Sequence, residues 1–207
     1  MENNKKYILR EYFSLCPDGV CQDLLTEEEK KDIRDNGALY LSGIFQKADE
    51  KNQNGRIYPY EVLESEVKNY EKLIRENRSV GELNHPDSSE IDAKNLSHVI
   101  KKLWWEGKNL YGKLKVLSGP SGQILKSLIN DGIKIGISSR GLGSVHEKGE
   151  DIIVEDDFQL ICFDIVTEPS TVDAFLMKES KQKTSLYFTR SDKINRILNS
   201  ILYKGEK

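Results

Sequence analysis

Residues 96–117, LSHVIKKLWWEGKNLYGKLKVL, constrain the fold more than any other stretch of the sequence. Two runs rich in β-forming residues flank the polar segment EGKN, and this pattern predicts an antiparallel hairpin. Because the predicted helices do not alternate regularly with the strands, we expect an α+β fold with a mostly antiparallel sheet or barrel and a few surrounding helices. Further strands are predicted at 7–13, 38–48, 133–138, 151–155 and 158–167, and helices at about 60–77 and 122–131, with a polar, helix-compatible connection at 26–34.

The domain organisation follows from the length and from a polar segment near the C-terminus. The chain has 207 residues, 37% of them hydrophobic, which suffices for one sizeable core, assigned here to residues 1–177. A polar linker is predicted over 178–190 and an amphipathic helix over 191–207, with its apolar residues on one stripe. Docking of this helix on the same chain is the favoured interpretation, and a partner-binding or dimerising helix is the alternative.

Charge and hydropathy exclude several classes of partner. The formal net charge is −3, and acidic and basic residues are mixed along the chain. The absence of a basic block argues against nucleic-acid binding. No apolar run approaches the length of a membrane span, and no signal-peptide core follows the charged start, so we expect no membrane association and a cytoplasmic location.

The three cysteines do not form a metal-site pattern. Cys16 and Cys21 flank a Pro-Asp-Gly turn and could bridge or share a metal, but no second pair accompanies them. Two reduced thiols are the favoured interpretation, and Cys162 is predicted to lie in the core. We therefore expect no metal and no other cofactor.

One histidine stands in an unusual segment, GELNHP at residues 81–86. Pro86 disfavours the helical region for the residue before it, so His85 is expected to be extended. This suits a functional imidazole as well as an ordinary turn histidine. His98 and His146 have no comparable surroundings and are expected to be structural or exposed.

A second unusual segment is IGISSRGLGS at residues 135–144. A serine at the end of a strand, followed by free backbone N–H groups, is the arrangement that acyl transfer needs for its nucleophile and its oxyanion. An ordinary strand-end turn is the favoured interpretation when this segment is considered alone.

A third segment places Asp164 within the apolar run FQLICFDIV. If the strand alternates, Leu160, Cys162, Asp164 and Val166 share one face. An imidazolium, a cluster of backbone N–H groups or an arginine would satisfy this carboxylate, and a structural ion pair with Arg140 is an alternative. No spacing rule joins the three segments, so the residues alone leave a serine hydrolase as one hypothesis.

The combination of GELNHP with a downstream SSRGLGS resembles the prohead core protease family of T-even-type tailed bacteriophages. The segments YLSGIFQKADEKNQNGRIYP, LWWEGKNLYGKLKV and DAF add to the likeness, which runs from about residue 36 to 176. The resemblance implies a serine endopeptidase with a herpesvirus-protease-like β-barrel ringed by helices. It implies scaffold and major capsid protein precursors as substrates, a location in the host cytoplasm inside the assembling prohead core, and a possible homo-oligomer. A catalytically inactive scaffold or assembly protein is the alternative.

The resemblance also assigns roles to individual residues. His85 would be the general base and Ser138 the nucleophile, with Ser139 as the alternative nucleophile. In the related herpesvirus proteases the third member follows the serine by roughly one hairpin and comes from a neighbouring strand, which favours Asp164, 26 residues after Ser138. The alternatives are Glu82, Asp87 and Asp173.

Two further roles concern substrate. Backbone N–H groups around Arg140 and Gly141 are the candidate oxyanion donors, while the Arg140 side chain could hold a water or the sheet edge, or be an ordinary surface or ion-paired arginine. The family tends to cut after glutamate and to process itself. The motif MKES at the start of the linker therefore makes Glu179 the candidate for self-cleavage.

Overall fold

The computed structural model describes residues 7–13, 25–52, 54–86, 88–167 and 176–178, with only the backbone described for 7–13 and 177–178. Within these ranges the chain forms three α-helices and eleven strands. The helices are α1 (Glu27–Asn36), α2 (Tyr60–Arg75) and α3 (Pro120–Asn130). The strands are β1 (Tyr7–Phe13), β2 (Tyr40–Lys47), β3 (Arg56–Ile57), β4 (Val80–Glu82), β5 (Leu96–Glu106), β6 (Asn109–Val116), β7 (Gly136–Gly143), β8 (Val145–Lys148), β9 (Asp151–Val154), β10 (Gln159–Val166) and β11 (Met177–Lys178).

The strands form three sheets, and every pairing within them except β3 with β9 is antiparallel. The orders are β1-β7-β10, β11-β2-β6-β5-β4 and β3-β9-β8. A parallel bridge between Leu83 and Ile165 links the first two sheets, beside a bond from the Asn84 N–H to the Ile165 carbonyl (2.7 Å). The mixed α+β class is confirmed, but the described strands do not close into a barrel.

The predicted hairpin at 96–117 is present as β5 and β6. The two strands pair from His98 with Val116 to Glu106 with Asn109. Gly107 in the turn has a φ of 61°, a left-handed value that glycine adopts without steric cost. Trp105 packs on the core, whereas Trp104 stacks on Tyr111 at the sheet surface.

The main core lies between the sheets β1-β7-β10 and β11-β2-β6-β5-β4 and helix α2. Phe163 of β10 contacts the rings of Phe45 and Tyr70, with centroid distances of 5.1 Å and 5.7 Å. Full burial of such side chains contributes roughly 1.5–3 kcal/mol each. Because Phe163 precedes Asp164, the core fixes the strand that carries this carboxylate.

Helix α1 is attached in a different way, because none of its residues is buried. A capping box between Thr26 and Glu29 begins the helix. It docks on β6 through ion pairs of Glu29 with the buried Lys113 (2.5 Å) and of Asp32 with Lys115 (2.6 Å). The polar connection predicted at 26–34 is therefore a helix held by charge.

One predicted boundary near the motifs differs from the structure. The strand predicted at 133–138 begins at Gly136 and continues to Gly143, so the SSRGLG segment is strand and not a turn. The short strand β4 separates α2 from His85.

The described part of the chain has no helix long and apolar enough to cross a membrane. Cys16, Cys21, the linker beyond Lys178 and the predicted C-terminal helix lie outside the described residues.

Candidate active site

Strands β7 and β10 place Ser138 and Asp164 side by side. The two residues are directly paired in the antiparallel register, and Arg140 pairs with Cys162 in the same way. Directly opposed residues project to the same face of a sheet, so these four side chains share one face. All four are fully buried.

A bulge in β10 between Leu160 and Cys162 sets this register. Beyond the bulge Leu160 pairs with Gly141, which belongs to the opposite face of β7. The prediction that Leu160 shares a face with Cys162 and Asp164 is therefore wrong, because it assumed uninterrupted alternation.

His85 reaches this face from the loop that follows β4. Asn84 has a left-handed φ of 69°, and Pro86 follows the histidine. The imidazole lies between the two partners. Its Nδ1 is 2.7 Å from Asp164 Oδ2, and its Nε2 makes a short hydrogen bond with Ser138 Oγ. An ionised Asp164 only accepts, so Nδ1 carries the proton and Nε2 accepts from the serine hydroxyl.

The surroundings of Asp164 keep its carboxylate charged. Burial favours the neutral form, but the hydrogen bond from His85, the bond from the Glu82 backbone N–H (3.0 Å) and the charge of Arg140 together hold the pKa of Asp164 below its ordinary value. Arg140 Nε lies 2.9 Å from Asp164 Oδ2. The neighbouring Cys162 thiol stays protonated, since burial raises its pKa.

Arg140 is a fully buried, ion-paired residue, so the surface interpretation of its side chain is wrong. Its Nη2 donates to Glu82 Oε1 (2.9 Å), and its Nη1 donates to the Ser88 carbonyl (2.7 Å). The carboxylate of Glu82 therefore contacts Arg140. Asp87 and Asp173, the other predicted alternatives to Asp164, lie outside the described residues.

Ser139 and Gly141 face away from His85. Ser139 Oγ is buried and has no hydrogen-bond partner among the described residues. A Cβ on Gly141 would come within 2.4 Å of the Phe158 ring, so this glycine permits close packing. Arg140 and Gly141 lie inside a strand paired on both sides with β1 and β10. The expectation that the serine ends a strand and precedes free N–H groups is thus wrong for this arrangement.

His98 is a structural residue, one of the two alternatives expected from the sequence, although its partners had no sequence signal. This fully buried imidazole donates from Nε2 to the Phe163 carbonyl (2.9 Å) and accepts at Nδ1 from Ser97 Oγ (2.9 Å). It thereby ties β5 to the strand of Asp164. Burial lowers the pKa of His98 to about 4, against the opposing effects of the Asp164 charge and the Phe163 carbonyl. His146 is half-exposed and pairs with Glu155.

The described residues contain no group of three or more His, Cys, Asp or Glu side chains arranged to hold a metal ion. The side chains of the site supply an exchangeable serine proton, an imidazole able to accept it, and a carboxylate behind the imidazole.

Comparisons with known proteins agree with the sequence motifs. Residues 17–184 match the family described as "Prohead core protein serine protease", a longer match than the predicted 36–176. The "Prohead core protein protease" of Enterobacteria phage T4 is 37% identical over 164 residues, which cover 77% of this chain and 76% of that protein.

A solved structure, described as the bacteriophage T4 capsid assembly protease gp21, matches with a TM-score of 0.67 and 31% sequence identity. The match covers 80% of this chain and 100% of the solved chain. The resemblance inferred from GELNHP and SSRGLGS is thereby confirmed. This chain belongs to the prohead core protein serine protease family.

Proposed function

We propose that the chain is a serine endopeptidase of phage prohead maturation, with Ser138 as nucleophile, His85 as general base and Asp164 as the residue that orients the base. The observation that carries this proposal is the continuous hydrogen-bonded series from Ser138 Oγ through the imidazole to Asp164. Ser139 is not proposed as the nucleophile, because it projects to the opposite face of β7.

The reaction follows from this order of groups. His85 Nε2 takes the proton of Ser138 as Oγ attacks the scissile carbonyl, and then passes it to the leaving amine. An acyl-enzyme remains, and a water activated by the same nitrogen releases it. The charged Asp164 stabilises the imidazolium that forms at each step.

Two features bear on how a peptide reaches the site. Ser138 is fully buried, and the His85 side chain is 5% exposed, so productive binding requires an opening that exposes the hydroxyl. The N–H groups of Arg140 and Gly141 remain the proposed oxyanion donors. Since they lie between paired strands, this role requires a local separation of β7 from β1 or β10.

The names of the relatives supply the biological setting. A prohead core protease and a capsid assembly protease act where a capsid is built, so scaffold and major capsid protein precursors are the proposed substrates. The proposed location is the prohead core within the host cytoplasm, with no nucleic-acid or membrane partner and with a possible homo-oligomer. A fold related to the herpesvirus maturation proteases is proposed on the resemblance.

Self-cleavage after Glu179 is part of the proposal. Strand β11 pairs with β2 through Met177 and Lys178, directly before this residue. The chain is thus tied to the sheet up to the proposed cleavage point. Intact-mass measurement of the wild type and of Ser138→Ala tests the idea, and a wild-type chain that digests scaffold without being cut would contradict it.

A serine-reactive fluorophosphonate tests the central assignment. We expect labelling of Ser138 in the wild type and in the matched control Ser139→Ala, and none in Ser138→Ala or His85→Ala. Labelling lost in Ser139→Ala but kept in Ser138→Ala would show that Ser139 is the nucleophile. No labelling in a preparation that matures proheads would instead favour the inactive scaffold protein.

A further inference from the structure

The guanidinium of Arg140 joins the strand of Ser138 to the loop of His85. Beyond its bonds to Ser88 and Glu82, Nη1 lies 3.3 Å from the Glu90 carbonyl and Nη2 lies 3.3 Å from Asp164 Oδ1. One fully buried side chain therefore contacts the carboxylate behind the imidazole and two carbonyls of the segment that follows it.

The same ion pair joins the two ends of the loop that contains His85, between Glu82 and Asp92. Glu82, the last residue of β4, gives its N–H to Asp164 and accepts at Oε1 from the Asp92 N–H (3.0 Å). Since Arg140 holds that same Oε1, the start and the end of the loop around His85 meet at one ion pair. We propose, resting on the function above, that Arg140 and Glu82 are positioning residues that fix His85 relative to Ser138.

The charges of this cluster suit a base that becomes an imidazolium. With a neutral His85 the buried ions are Arg140, Glu82 and Asp164, which sum to one negative charge. Protonation of the imidazole brings the sum to zero, so Glu82 favours the imidazolium and Arg140 opposes it. Among the described residues, the imidazole contacts Ser138 on β7 and Asp164 on β10. The other titratable or charged groups that act on Asp164 are Glu82 on β4, His98 on β5, Arg140 on β7, Cys162 on β10 and Tyr70 on α2.

The test compares kcat, KM and the pH profile of peptide cleavage, using a fluorogenic peptide with glutamate before the cleaved bond. Arg140→Gln and Glu82→Gln should each lower kcat by about 100-fold with little change in KM, because the base is no longer held in place. The acidic limb of the profile should move to higher pH in Arg140→Gln and to lower pH in Glu82→Gln, by roughly half a unit or more.

Two further variants separate position from charge. The double variant Arg140→Gln/Glu82→Gln should return the limb to its wild-type pH while kcat stays low. Arg140→Lys keeps the charge but cannot contact Glu82, Ser88, Glu90 and Asp164 together, so it should also show the wild-type limb with a low kcat. The exposed Arg75→Gln is the matched control and should behave as the wild type. The proposal would be overturned if the acidic limb of the pH profile moved in the same direction in both single variants, or if KM changed while kcat did not.

A readout without catalysis separates this proposal from the proposed function. In a Ser138→Ala background, the His85 ring signals should titrate at a higher pH with Arg140→Gln and at a lower pH with Glu82→Gln, by NMR. Amide exchange over 88–92 should quicken in both. Ser138-independent proteolysis would refute the proposed function alone, whereas unchanged titration and exchange would refute the positioning role alone.

Discussion

The buried His98 makes the stability of this protein depend on pH in a predictable way. Its pKa falls from 6.5 to about 4 on burial, so between these values the unfolded chain binds a proton that the folded chain does not. Stability from this group is therefore complete above pH 6.5 and is lost as the pH falls towards 4. At 1.36 kcal/mol per pKa unit, His98 lowers the free energy of unfolding by about 2 kcal/mol between pH 7.5 and pH 5.

Urea unfolding of the wild type and of His98→Gln at these two pH values measures the effect. Other titrating groups are common to both proteins, so the free energy of unfolding should fall by about 2 kcal/mol less in the variant. Equal pH dependence in the wild type and His98→Gln would refute the reasoning, since it would mean that His98 is protonated equally in both states.

Three further predictions follow from single positions. Asp164→Asn should lower kcat by about 10³–10⁴-fold with little change in KM, since a neutral amide cannot stabilise the imidazolium; steady-state kinetics showing less than a tenfold loss would contradict it. Asn84→Val should lower the free energy of unfolding by about 1–2 kcal/mol, because Asn84 has a left-handed φ of 69°. Asn84→Gly is the control and should not lower it. Equal Tm values for the two variants would count against this prediction. Gly141→Ala should lower the free energy of unfolding by about 1–3 kcal/mol, measured by urea unfolding, because its Cβ would lie 2.6 Å from the Gln159 carbonyl. A stability equal to that of the wild type would show that β7 can shift.

The sequence predicted the elements whose residue types agree with their periodicity. The hairpin at 96–117 is the clearest case, because β-forming runs and a polar turn indicate the same structure. Strand β7 is the opposite case. Its SSRGLG segment has turn-like composition, yet pairing with β1 and β10 on both sides keeps it extended. Such pairing comes from distant parts of the chain and leaves no local pattern.

The same difference explains which site residues could be predicted. His85 stands out because Pro86 follows it, and Asp164 because its strand is otherwise apolar. The choice between Ser138 and Ser139 depends on strand parity, which is usable only once β7 is known to continue past both serines. The contact of Glu82 with Arg140 had no sequence signal, because it depends on how the loop after β4 folds over β7.

The bulge in β10 lets one strand both pack on the apolar core and carry residues of the site. Phe163 and Leu160 both pack on the apolar core although they are three residues apart, a spacing that strict alternation forbids. The extra residue at the bulge permits it, and so leaves Cys162 and Asp164 opposite Arg140 and Ser138. A bulge disrupts the ladder, and here the Leu160 N–H is satisfied by Glu66 Oε2 of α2 at 2.8 Å. Helix α2 thus stabilises the register on which the pairing of Asp164 with Ser138 depends, from the side of the sheet away from the imidazole.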